Sequence, residues 1–180
     1  RILNPDETHL VTTTWDVGSG TPKTQQLFHE NPKIVGDPSA VFRPLGFAHS
    51  VIVGRNFDRM LEHYIEFAGL TDIRPGSDDI HFLGGSIGKL DMVLVRRTDD
   101  LSPGVHHLAF RIASEAELDR SIEALQDRDI VIEKTIDLPH KRSVFLRDPD
   151  QMLLEFYVER DGTYPSVADL IASDALPYAV

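Results

Sequence analysis

The sequence contains no cysteine. A disulfide framework and a thiolate-bound zinc site are therefore excluded, so any metal must take its ligands from histidine and carboxylate side chains. The 8 histidines and 29 acidic residues supply the candidates. The missing thiols thus narrow the possible metal chemistry before any motif is considered.

Basic residues are also scarce, because 18 Lys and Arg face 29 Asp and Glu and leave a net charge of −11. Such a charge repels phosphate backbones and anionic membranes, so we expect neither nucleic acid nor a membrane as partner. No apolar run reaches the roughly 18–20 residues that span a bilayer, and the start of the chain lacks the pattern of a secretion signal. The sequence therefore predicts a cytoplasmic protein that acts on a small molecule, and we expect it to be a homo-oligomer.

The chain of 180 residues repeats itself at a constant offset of 58 positions. His49 in the first copy recurs as His107 in the second, and the apolar positions that follow match at the same offset. One local geometry is therefore predicted to occur twice, in a first module over residues 45–100 and a second over residues 104–160.

Each copy contains one helical pattern and four strand-like runs. In the second copy, Ser114 and Glu117 form a capping box ahead of an apolar pattern of period 3.6. Strands are predicted at 47–53, 71–74, 80–83 and 89–97 in the first copy, and at 106–112, 130–136, 143–147 and 152–159 in the second. The order predicts an α+β fold of two paired βαβββ modules. Since the helices cover one face of the sheets, the other face is available to curl around a shared cavity.

The remaining segments lie outside the two modules. Residues 1–12 echo the turn and strand that end the second module, which predicts the closing strand of a preceding module and a chain that is the C-terminal part of a larger protein. An unrelated turn and strand is an equal alternative. Residues 13–44 have little periodicity and are predicted to be a linker. Residues 161–180 form a C-terminal tail, with a short helix predicted at 167–171.

Two histidines and one glutamate occupy strand positions that predict a metal site. His49 and His107 are equivalent in the repeat, and Glu155 interrupts an apolar strand, where a buried carboxylate is costly unless it is paired or ligating. A lone strand histidine is more often structural, and a lone glutamate is more often a surface acid. The coincidence of all three favours metal binding, whereas His106 is predicted to face the opposite way and to be structural.

Three segments resemble the vicinal oxygen chelate superfamily, and within it the C-terminal catalytic domain of type I extradiol ring-cleavage dioxygenases. The segments are 46–53 (GFAHSVIV), 104–112 (GVHHLAFRI) and 147–157 (RDPDQMLLEFY). The resemblance implies a half-open barrel around one metal ion held by His49, His107 and Glu155. It further implies Fe(II) as the expected metal, with Mn(II), Zn(II), Ni(II) or Co(II) as alternatives, and a catechol-type aromatic substrate that is opened next to its diol by O2.

The sequence departs from the family pattern at several places, among them Gln151, where the family usually has a glycine. Phe145 stands where the family has a tyrosine, and phenylalanine has no proton or hydrogen bond to donate. The family's histidine ahead of the second ligand would fall near Asp91 or Met92. His140 is the candidate catalytic residue for proton transfer, because an ordinary imidazole titrates near neutrality.

Four residues are predicted to contact the substrate: Asp91, Arg142, Phe145 and Tyr157. The departures leave two further functions open. One is a reaction without oxygen on the same scaffold, by an epimerase, a lyase or a glutathione-dependent enzyme. The other is the sequestration of an aromatic ligand, which the intact set of three metal-binding side chains disfavours.

Overall fold

The structure is a computed structural model that describes residues 2–3, 9–10, 37, 39–128, 130–172 and 176–180. Near the start of the chain, β1 (Ile2–Leu3) pairs antiparallel with β2 (His9–Leu10). The first module consists of β3 (Gly46–Gly54), α1 (Phe57–Glu66), β4 (Thr71–Ser77), β5 (Ile80–Gly84) and β6 (Met92–Arg96). The second consists of β7 (Gly104–Arg111), α2 (Glu115–Gln126), β8 (Lys134–Leu138), β9 (Lys141–Arg147) and β10 (Leu153–Glu159). The predicted α+β fold of two βαβββ modules is confirmed.

One eight-stranded sheet joins the two modules in the order β4-β5-β6-β3-β7-β10-β9-β8. The first and last strands of each module are parallel neighbours, and β3 pairs antiparallel with β7 at the centre. Within the described residues the sheet ends at β4 and β8 without closing, as the predicted half-open barrel requires. The repeated sequence therefore meets itself at the β3–β7 seam.

The two helices cover one face of the sheet. Met60 and Tyr64 of α1 pack with Leu94 of β6, while Leu118 of α2 packs with Val158 of β10. Burying each of these large side chains contributes about 1.5–3 kcal/mol. Since side chains alternate along a strand, the neighbouring positions point to the opposite, concave face.

The C-terminal segment covers part of the concave face. The predicted short helix is present as α3 (Val167–Ala172). Leu170, Ala179 and Val180 are buried against Val51 and other side chains of the first module. The described residues of this segment therefore help to cover the concave face of the first module.

Strand β8 begins later than predicted. The sequence predicted residues 130–136, whereas the regular pairing with β9 starts at Lys134, opposite Phe145, and continues to Leu138, opposite Lys141. The tight connection through Pro139 and His140 fixes this register, so the apolar residues before Lys134 do not decide where the strand lies.

The predicted linker packs on the second module where the structure describes it. Residues 13–36 and 38 lie outside the described residues, as do parts of 1–12, so the predictions of a closing strand and a linker stay predictions there. Phe42 stacks on Phe156 at a ring-centroid distance of 3.8 Å, and Arg43 forms a 2.6 Å ion pair with Glu117. No helix among the described residues has both the length and the apolar character that crossing a membrane requires.

Candidate metal centre

Strand register places His49, His107 and Glu155 on the same face of three adjacent strands. Ala109 of β7 is the register partner of both His49 on β3 and Glu155 on β10. His107 precedes Ala109 by two residues, so the two share a face. The small Ala109 side chain leaves room for the three longer side chains to converge above it.

The three side chains are buried and present atoms that lack partners. Glu155 Oε2 lies 3.4 Å from His107 Nε2 and 3.9 Å from His49 Nε2. None of these three atoms has a hydrogen-bond partner within the described part of the chain. One ligand atom from each residue lies within 4.8 Å of the others. Because a buried polar atom without a partner is costly, this arrangement points to a bound group.

The donor set fits a divalent transition metal. A metal ion with bonds of about 2.0–2.2 Å to imidazole nitrogen and carboxylate oxygen holds its ligand atoms about as far apart as these three atoms lie in the structure. Burial is the largest influence on His49 and lowers its pKa to about 3, so its imidazole stays neutral and keeps a lone pair. His49, His107 and Glu155 would hold one such ion and leave its remaining positions for other ligands.

Lys141 holds the other oxygen of Glu155. Its Nζ donates to Glu155 Oε1 at 2.8 Å, and the Ser143 hydroxyl donates to the same oxygen at 2.5 Å. Burial raises the pKa of Glu155, but the charge of Lys141, together with His107 and His49, keeps that pKa below its ordinary value. Oε1 is therefore engaged by protein donors and Oε2 is left to face the two histidines.

The Lys141 ammonium also binds the C-terminal segment. It donates to the backbone oxygen of Tyr178 at 3.1 Å and to the backbone oxygen of Val180. With 3% of its surface exposed, Lys141 is a buried cation whose donors are used by Glu155 and this segment. Sequence reasoning missed Lys141, although it shares a strand face with Ser143 and Phe145.

His106 orients His107, which corrects the prediction that it faces away in a structural role. The Nδ1 atoms of the two rings lie 2.8 Å apart. Val51 of β3 lies opposite His107 of β7, and the next residue, Ile52, lies opposite Val105. His106 is therefore an extra residue in β7, a β-bulge that breaks the strict alternation of side chains along the strand. A proton on His107 Nδ1, donated to His106 Nδ1, leaves His107 Nε2 free to bind a metal.

His106→Phe is expected to lower metal affinity by about 10–100-fold, as loss of an outer partner of a metal-binding histidine typically does. Phenylalanine keeps an aromatic ring against Tyr178, which lies 4.8 Å from the His106 ring, but removes the acceptor. Calorimetric titration with Mn(II) measures the effect, with His63→Phe on α1 as the matched control. Equal affinities for His106→Phe and the wild type would contradict this role.

A cavity of about 700 Å³ lies beside His49, the one candidate ligand among its lining residues. Tyr157 and Asp91, both predicted substrate contacts, line it together with His49. The Tyr157 ring centroid lies 6.0 Å from that of His49. Burial, reinforced by the charge of Glu155, raises the pKa of Tyr157, so its hydroxyl stays protonated and able to donate. Asp91 Oδ2 accepts a 2.8 Å hydrogen bond from the Gly85 amide.

Phe145 lies against the candidate ligand His107 and is not among the residues that line the cavity. It is fully buried, with its ring edge-on to His107 at 5.3 Å and to Tyr178 at 5.2 Å. The position where the family carries a tyrosine therefore supports His107 by packing.

Arg142 lies on the helix side of the sheet and not in the cavity. Its guanidinium forms ion pairs of 2.9 Å with Glu115 and 2.7 Å with Asp119, both on α2. Alternation along β9 explains the difference, since Lys141 and Ser143 face the metal ligands and Arg142 between them faces away. Arg142 thus holds α2 to the sheet, in place of the substrate contact that the sequence predicted.

His140 is buried behind Tyr164, with a ring-centroid distance of 4.3 Å, and is not among the cavity-lining residues. Burial, with the charges of Lys141 and Arg74, lowers its pKa to about 4. The predicted catalytic role of His140 stays a prediction.

The metal-free protein is expected to lose stability as the pH falls from about 6.5 to 4. The unfolded chain protonates His140 near its ordinary value of 6.5, whereas the folded chain does so only at about 4. Between these values the unfolded state binds the extra proton, which costs up to about 1.4 kcal/mol per pH unit. In urea unfolding between pH 7 and 4, His140→Gln should show a shallower pH slope than the wild type, and parallel slopes would rule this contribution out.

Comparisons with known proteins support the fold. No family model matches the chain. A 64-residue stretch is 39% identical to the uncharacterised protein YwkD of Bacillus subtilis (strain 168), covering 34% of this chain and 48% of that protein. The chain thus spans about half the length of this relative.

Several solved structures are similar in fold. A Mn(II)-bound glyoxalase from Novosphingobium aromaticivorans aligns with a TM-score of 0.54 and 16% identity, over 67% of this chain and 40% of that one. Homoprotocatechuate 2,3-dioxygenase from Brevibacterium fuscum, in complex with 3,4-dihydroxyphenylacetate, aligns with a TM-score of 0.55 and 16% identity, over 69% of this chain and 40% of that one. The halotolerant catechol dioxygenase BphC aligns with a TM-score of 0.51 and 18% identity, over 65% and 42%. The chain therefore shares its fold with these glyoxalase and dioxygenase structures, as its sequence predicted.

Proposed function

We propose that this chain is the catalytic part of a metal-dependent dioxygenase that opens a catechol-type ring next to its diol with O2. The observation that carries the proposal is the convergence of three buried ligand atoms, from His49, His107 and Glu155, that have no hydrogen-bond partner among the described residues. One of these residues, His49, lines a cavity of about 700 Å³. The similarity in fold to homoprotocatechuate 2,3-dioxygenase and to a catechol dioxygenase supports it.

The residues of the chain prepare this site for an aromatic diol. Lys141 and Ser143 fix the Glu155 carboxylate through Oε1, so that Oε2 is oriented before any ligand arrives. Tyr157 offers a protonated hydroxyl from the cavity wall. When bound, a divalent metal such as Fe(II) or Mn(II) supplies Lewis-acid and redox chemistry that orients the diol and activates dioxygen.

Anaerobic loading with Fe(II), followed by air and a panel of catechols, tests the proposal. We expect oxygen uptake and a yellow ring-opened product with at least one diol. The matched control is His49→Asn, which removes one ligand but keeps the Lys141–Glu155 pair and should consume no oxygen. Failure of the metal-loaded wild type to consume oxygen with every diol would contradict the proposal.

A reaction that needs no oxygen is the second candidate. It is favoured by Phe145, which lacks the hydroxyl of the family's tyrosine, and by the similarity in fold to a Mn(II)-bound glyoxalase. Bound Zn, Ni or Co in the purified protein, with turnover that is the same in air and under nitrogen, would favour this candidate over the dioxygenase.

A further inference from the structure

Arg74 on strand β4 presents a charge to the same cavity as His49. Its guanidinium lies between two aromatic rings, 3.7 Å from the Phe82 centroid and 4.4 Å from the Tyr164 centroid. Phe82 is its register partner on β5, and Tyr164 follows the last strand of the second module. The two rings hold the planar cation by stacking and restrict where its edge points.

In the described part of the chain no carboxylate neutralises the charge of Arg74, although the Tyr164 hydroxyl is hydrogen-bonded to it. Among the described residues Arg74 forms no ion pair. Two other cations of the cavity wall do: Lys141 pairs with Glu155 at 2.8 Å, and Arg111 pairs with Glu159 at 3.4 Å. Arg74 Nε is buried without a hydrogen-bond partner in that same part of the chain. Burial raises the pKa of Tyr164, so the neighbouring phenol stays neutral.

An unpaired, partly buried guanidinium at a cavity wall is costly unless an anion joins it. Carboxylates suit it best, because the flat N–H fork of arginine matches two carboxylate oxygens. The cavity of about 700 Å³ is lined by both Arg74 and His49 and has room for a benzene ring with a charged side chain.

We propose that Arg74 binds a carboxylate group carried by the aromatic substrate while the diol faces His49, His107 and Glu155. The inference rests on the proposed function and narrows it to catechols with an acidic side chain. Arg74 is then a residue that determines specificity, and neutral catechols are the poorer ligands.

Anaerobic calorimetry with the Zn(II)-loaded protein tests this without turnover. The probes are 3,4-dihydroxyphenylacetate and its methyl ester, which differ in the charge of the side chain and by one methyl group. The wild type should bind the acid about 10- to 100-fold more tightly, as expected for charge-assisted hydrogen bonds. Arg74→Gln should remove that preference, mainly by weakening binding of the acid, because the ester carbonyl has only a neutral hydrogen bond to lose. The matched control, Arg97→Gln at an exposed position, should keep the preference.

Phenylacetate, which has no diol, separates the two proposals. Binding of phenylacetate that depends on Arg74 and weakens with NaCl supports the carboxylate site even if no diol is turned over. Arg74→Lys, which keeps the charge and loses the fork, should bind the acid with intermediate affinity and guards against a folding defect in Arg74→Gln. An acid preference that survives in Arg74→Gln, or no acid binding by the wild type, overturns the inference.

Discussion

Glu155→Gln is expected to remove tight metal binding and to destabilise the metal-free chain. The amide replaces the anionic ligand, so the loss in Mn(II) affinity should exceed the roughly 10–100-fold that losing an outer partner costs. The substitution also leaves the buried Lys141 ammonium without a counter-charge. Breaking one side of a buried ion pair typically costs about 3–5 kcal/mol.

Calorimetry with Mn(II) and urea unfolding at pH 7 measure the two effects of Glu155→Gln. His49→Asn separates them, because it removes a ligand but keeps the Lys141–Glu155 pair. It should therefore lose metal binding with a smaller loss of stability. Wild-type Mn(II) affinity in Glu155→Gln would contradict the assignment of Glu155 as a ligand.

Lys141→Met should have the second large effect, by destabilising the metal-free protein by about 3–5 kcal/mol. Methionine fills a similar volume but cannot donate a hydrogen bond. The fully buried Glu155 carboxylate then keeps only the Ser143 hydroxyl as a donor to Oε1. The backbone oxygens of Tyr178 and Val180 also lose the hydrogen bonds that Lys141 donates. A bound cation supplies the missing positive charge, so added Mn(II) should stabilise Lys141→Met more than it stabilises the wild type.

The double variant Lys141→Met/Glu155→Leu separates the contribution of the charged pair to stability from its contribution to metal binding. Replacing both members of a buried ion pair by apolar residues is often neutral or stabilising, so the double variant should regain most of the lost stability. Unlike Lys141→Met, it should bind no Mn(II), because its carboxylate ligand is gone. Lys89→Met, at an exposed position, is the matched control for the lysine substitution. A double variant as unstable as Lys141→Met alone would show that the C-terminal contacts, and not the ion pair, account for the loss.

The convergence of the three candidate ligands could be predicted because it depends on local rules. Alternation along a strand assigns each side chain to a face, and the 58-residue repeat makes the strands of His49 and His107 equivalent. A glutamate within an apolar strand adds the third member. The structure brings these three side chains together across adjacent strands, with Ala109 between them.

The residues around the ligands could not be predicted in the same way. Lysine is seldom buried, and Lys141 is buried because the distant segment ending at Val180 folds over it. Arg74 lies at the end of the predicted strand 71–74, and its partner ring Tyr164 comes from the C-terminal tail, beyond the other module. His106 contacts His107 through a bulge, which strand periodicity does not foresee. Contacts of this kind depend on packing between segments far apart in the chain.

Anomalous diffraction from crystals of the protein soaked in Mn(II) tests the metal centre most directly. We expect a single strong manganese peak bonded to His49 Nε2, His107 Nε2 and Glu155 Oε2, at distances close to 2.1 Å, roughly the range for such ligands. A peak elsewhere on the chain, or none between these three atoms at saturating Mn(II), would contradict the account.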